Sequence, residues 1–74
     1  MSSSTEVKGR LVKVFGAERG GKVFEEVLGK LGLAELADPD DEMRFADELI
    51  GGGGLMEAIG RSLRVRALLR GAKG

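Results

Sequence analysis

The sequence predicts an all-α protein: four short helices packed as a compact orthogonal or bundle-like domain, paired as a homodimer. Three observations lead there. Apolar residues recur at three- and four-residue spacing, which is the period of a helix face and not of a strand. Glycines and a single Asp-Pro step fall where these runs begin and end. The large apolar residues number only ten Leu, six Val, three Phe, three Met and two Ile among 74 positions, and there is no cysteine. So small a core is marginal without disulfides, metals or oligomerisation, and oligomerisation is the route this composition leaves open.

The first helix is read from Val7, Leu11, Val14 and Phe15, after a polar leader over residues 1–4 in which Ser3 and Glu6 have capping-box spacing. Gly16 ends it. The second starts at Ala17 or Glu18 and carries the cleanest amphipathic stripe, Val23, Phe24, Val27, Leu28 and Leu31. Gly20 falls on that same face, where it admits a close neighbour, and close helix packing is expected at Gly60 as well. Gly32 stops the helix, and residues 33–37 connect onward. Asp38 then caps a third helix with Pro39 at its first position, and Asp40 and Asp41 favour the positive end of its dipole. Met43, Ala46, Leu49 and Ile50 are its expected buried set, with Phe45 beside them. Four consecutive glycines, Gly51 to Gly54, break it, and a fourth helix runs from Leu55 to Arg70 before a tail over residues 71–74. The helical domain therefore covers residues 5–70.

Twelve acidic and twelve basic residues cancel, but not evenly along the chain. Residues 35–56 hold seven acidic side chains and one basic, whereas residues 57–74 hold five basic and one acidic. These two segments attract one another, a bias that sets docking geometry more than affinity. No apolar run approaches the roughly 18 residues of a membrane span. With no signal-peptide pattern at the start, a cytoplasmic protein without membrane contact is expected.

Catalytic chemistry has little to work with. There is no His, Cys, Tyr or Trp, which removes thiolate and imidazole nucleophiles and the usual zinc, copper and haem ligands. No catalytic, cofactor-binding or metal site is expected, and the chain is read as a non-enzyme. Gly16-Ala17-Glu18-Arg19-Gly20-Gly21-Lys22 matches the phosphate-loop pattern G-x-x-x-x-G-K. Val23 follows, however, where magnesium needs Ser or Thr, and the chain has no room for the parallel sheet that houses such loops. The segment reads as a turn between helices. The acidic run Asp38, Asp40, Asp41 and Glu42 lacks the calcium-loop pattern and reads as exposed helix capping. Gly51 to Gly54 has no Lys or Ser beside it and carries Glu57 in the following turn, so it reads as a linker rather than an anion site.

The fourth helix carries the functional expectation. At about 100° per residue, Leu55, Met56, Ile59, Leu63 and Ala67 share one face, and Ala58, Val65, Leu68 and Leu69 form a second well away from it. A helix apolar on two sides is buried on two sides. The expected interface therefore comprises Leu55, Ile59, Leu63, Val65, Leu68 and Leu69, with Arg66 and Arg70 at its polar edge, and Leu63→Asp or Leu68→Asp is expected to dissociate the assembly. The leading function is a non-catalytic protein–protein interaction module that associates with itself and with a further protein. The alternative is a nucleic-acid accessory protein using Arg61, Arg64, Arg66, Arg70 and Lys73. It is disfavoured by the neutral total, the dispersed arginines and the lack of exposed aromatic platforms.

Overall fold

The structure, a computed structural model, describes residues 3–72, with the Ser3 side chain outside the description. Met1, Ser2, Lys73 and Gly74, and the expected capping box that depends on the Ser3 side chain, lie outside the described residues. Every regular element among those described is a helix: α1 (Ser3–Phe15), α2 (Ala17–Leu31), α3 (Pro39–Gly51) and α4 (Gly54–Leu69). The order and number of helices follow the sequence expectation. Two helical hairpins, α1–α2 and α3–α4, are the main packed pairs, and they join chiefly through α2 and α3.

Both hairpins depend on a glycine at the helix–helix contact. A Cβ added at Gly20 of α2 meets the Cα of Val12 at 2.7 Å and the carbonyl carbon of Leu11 at 2.8 Å, so α2 rests against the α1 backbone. In the second hairpin a Cβ at Gly60 meets the Ala46 carbonyl oxygen at 2.7 Å and the Ile50 nitrogen at 2.9 Å. The obstacle in each case is backbone, which cannot step aside like a side chain. Close packing at Gly20 and Gly60 was the expectation, and the geometry bears it out.

The hairpin connections are tight, and that between α3 and α4 is shorter than the sequence suggested. Gly16, at φ 93°, is the whole turn between α1 and α2. The glycine quartet is not a free linker: Gly51 ends α3, Gly54 begins α4, and only Gly52 and Gly53 lie between. Their N–H groups donate to the Leu49 and Ile50 carbonyls at 3.0 and 3.2 Å, closing the end of α3. Gly53 and Gly54 both hold positive φ, 70° and 57°, a backbone state that a side chain would strain. Gly32, also left-handed, closes α2 with Leu33 N–H donating to Leu28 O at 3.0 Å.

At the start of α3 the Asp38 cap does more than expected. Asp38 Oδ1 accepts from Asp41 N–H at 2.9 Å, while Asp41 Oδ2 accepts from Ala37 N–H at 3.0 Å, a reciprocal pair that satisfies two donors at once. The segment before it is pinned too. Leu36 is almost wholly buried, and its N–H donates to Ser4 Oγ at 2.7 Å. Ser3 and Ser4, which the sequence reading places in the polar leader, belong to the first turn of α1, and the connection that crosses it holds Ser4.

The core is one cluster in which Val7 and Leu11 of α1, Val23, Phe24, Val27 and Leu28 of α2, Leu36 of the connection, Phe45, Ala46 and Leu49 of α3, and Ile59 and Leu63 of α4 converge. Phe24 and Phe45 meet at its centre with ring centroids 5.5 Å apart. Of the expected core positions, Val14 and Leu55 are exposed, and Phe15, Leu31, Ile50 and Met56 are half-buried.

Glycine substitutions test the two backbone contacts directly. Gly60→Ala and Gly20→Ala are expected to destabilise, by about 1–3 kcal/mol from overpacking, although alanine is the better helix former. Gly29→Ala, also helical but with open space at its Cβ, is expected to stabilise by about 0.5–1 kcal/mol. Urea unfolding of the three variants separates the effects.

Candidate interaction surface on the fourth helix

Helix α4 is long enough, at 16 residues, to present two faces. The inner face, Ile59, Gly60, Leu63 and Ala67, is buried against α3 and the core. The outer face lies roughly 140° around the axis at 100° per residue. Among the described residues, four of the five large apolar side chains that remain exposed are on α4: Leu55, Val65, Leu68 and Leu69. Leu69 is the extreme, 84% exposed.

The expected interface thus divides. Leu55, Val65, Leu68 and Leu69 are open to solvent, as a docking surface requires. Ile59 and Leu63, at 6% and 2% exposure, are core residues of their own chain and are withdrawn from the surface. The physical reason is that α3 runs alongside α4 and covers that whole face, made accessible by Gly60. Leu63→Asp is consequently a core substitution, expected to unfold the protein rather than dissociate it.

Arg66 and Arg70 are withdrawn in a different way. Arg66 Nη2 donates to Glu6 Oε2 of α1, and Arg70 Nη1 donates to Glu6 Oε2 at 3.2 Å and to Glu42 Oε1 of α3 at 2.9 Å. Two arginines of α4 thereby tie its C-terminal end to both other hairpin elements. Arg64 faces Asp47 at 3.3 Å and Arg61 faces Glu57 at 3.1 Å. Each arginine of α4 has a carboxylate of its own chain beside it.

Glu42 is the residue that the sequence reading misplaced. It was grouped with the exposed capping carboxylates, yet it is 1% exposed. Its spacing held the signal, because Glu42 stands three, four and seven positions before Phe45, Ala46 and Leu49 and so shares their buried face. Its Oε2 is buried without a hydrogen-bond partner among the described residues, as is Arg66 Nε. The Arg70 contact is therefore the main compensation for a desolvated charge.

Two further expectations are settled by the local backbone. Residues 17–22 of the phosphate-loop match are helical, and Leu11 to Phe15, the segment in the place of its strand, belongs to α1. Arg19 instead stacks its guanidinium over the Phe15 ring at 5.6 Å. No helix among the described residues is long and apolar enough to cross a membrane.

Removing Arg70 leaves a buried carboxylate unpaired, so Arg70→Ala is expected to cost about 2–4 kcal/mol in urea unfolding. Adding Glu42→Met to that variant is expected to recover most of the loss, since the charge and its desolvation disappear together. Arg61→Ala, at a largely exposed pair, is expected to change stability by less than about 1 kcal/mol. No family model, curated protein or solved structure matches the chain, so its functional reading rests on this geometry.

Proposed function

We propose that the protein is a small non-catalytic assembly module that associates with itself through the outer face of α4. The observation that carries this reading is the concentration of exposed large apolar side chains on one helix whose other face is already buried. Isolated exposed leucines are ordinary on protein surfaces, whereas several gathered on one element mark a contact surface. The residues in this role are Leu55, Val65, Leu68 and Leu69. Arg66 and Arg70 serve the fold of each subunit. Because the four α4 arginines are met by carboxylates of the same chain, they give a nucleic-acid backbone less free charge to neutralise.

Size-exclusion chromatography with light scattering over a dilution series tests the proposal. A dimer or larger species at micromolar concentration is expected. Leu69→Asp and Leu68→Asp are expected to weaken association at least tenfold, since each loses apolar burial worth about 1.5–3 kcal/mol, with unchanged helical circular dichroism. A monomer at every concentration would overturn self-association.

A further inference from the structure

We infer that two copies pair through α4 in antiparallel fashion about a twofold axis passing between Ser62 and Val65. This inference rests on the self-association proposed above and adds the partner face, its direction and its register.

The outer stripe of α4 has a regular spacing. Leu55, Ala58, Ser62, Val65 and Leu69 follow one another at intervals of three, four, three and four, the seam of a paired helix. Leu55, Ala58, Val65 and Leu69 are exposed, and so is Ser62, which accepts a hydrogen bond from Arg10 Nη1 of α1. The seam alternates large and small side chains unevenly, and that distinguishes the two directions in which a second copy can lie.

In a parallel pair each seam residue meets its own copy. Ala58 then faces Ala58 and Ser62 faces Ser62, leaving two adjacent underfilled layers between crowded leucine and valine layers. In the antiparallel pair Ala58 faces the partner's Leu69, and Ser62 faces the partner's Val65. Each of these layers, repeated by symmetry, then combines a large residue with a small one, the condition for interdigitated packing at constant helix separation. The symmetry is closed and isologous, and the four matched layers end before Leu55, which lies opposite position 72 beyond the end of α4.

The edge of the seam points the same way. In the antiparallel pair Arg61, whose charge is met by Glu57 of its own chain, lies along the partner's Leu68, giving its aliphatic stem an apolar neighbour and covering Leu68 at the seam's edge. The antiparallel helix dipoles also oppose one another favourably. The electrostatic cost falls on Arg10, which lies beside the central layer in both copies; added salt screens it and favours the dimer.

The chain has no cysteine, so single cysteines report direction without background. The experiment uses Ala58→Cys and Leu69→Cys proteins, one bearing a tag that separates the products on a non-reducing gel, each oxidised alone and as a mixture. In the antiparallel pair each residue is offset from its own copy by about 16 Å along the axis, beyond disulfide reach, while position 58 is opposite the partner's position 69. The expected result is a cross-linked heterodimer in the mixture, several-fold above either homodimer. Efficient homodimers from each variant alone would overturn the antiparallel direction while leaving self-association standing. An unmutated protein that is dimeric by light scattering, with no cross-link in any sample, would overturn α4 as the contact. A monomeric unmutated protein at the same concentrations would overturn the underlying reading as well.

Discussion

The approach of helix backbones at Gly20 and Gly60 is the constraint on which the other contacts depend. A chain of 74 residues has few large apolar side chains, and they bury one another only if the helices lie close. With the Val12 Cα and the Ala46 carbonyl oxygen each 2.7 Å from where a Cβ of residue 20 or 60 would sit, each hairpin leaves no room for a side chain between its helices. That closeness lets α3 cover Ile59, Leu63 and Ala67 completely and brings Phe24 of one hairpin against Phe45 of the other. Tight turns at Gly16 and Gly52-Gly53 are the corollary, since helices this close leave no distance for a longer connection to span.

Covering one face of α4 so fully leaves the other with nothing to meet it. Helices α1 and α4 are linked at their edges by Glu6, Arg66, Arg70, Arg10 and Ser62 rather than by an apolar seam. This arrangement holds the fold together with polar side chains exactly where a larger domain would add another helix. The outer stripe of α4 is the place such a helix would occupy, and in the proposed pair a second copy of the same stripe supplies the complementary sizes. Under that proposal folding and assembly draw on the two sides of one element, and the division between them is set by Gly60.

The charged cluster at the end of α4 ties that helix to α1 and α3. Glu42 is desolvated among apolar neighbours, so its pairing with Arg70 limits a cost more than it adds stability. What the pair adds is specificity of position. An apolar contact tolerates sliding, while a bidirectional tie from Arg70 to Glu6 and Glu42 fixes the azimuth of α4 and hence the direction in which Val65 and Leu69 point.

The sequence alone determined the helices, because periodicity and end signals are local. The stripe from Val23 to Leu28, the Asp38-Pro39 start and the stops at Gly16 and Gly32 each act within a few residues of themselves. It also showed that α4 is apolar on two sides and that Gly20 and Gly60 permit close neighbours. Which side of α4 is covered was decided by tertiary structure, since Ile59 and Val65 are equally apolar as residues and differ only in whether α3 lies over them. The same holds for Glu42, a cap-like carboxylate by position that becomes buried because Phe45 and Ala46 turn its face inward, and for Ser4 and Leu36, joined across 32 positions. Partners so far apart in the chain leave no local pattern, and only the packing of one hairpin on the other brings them together.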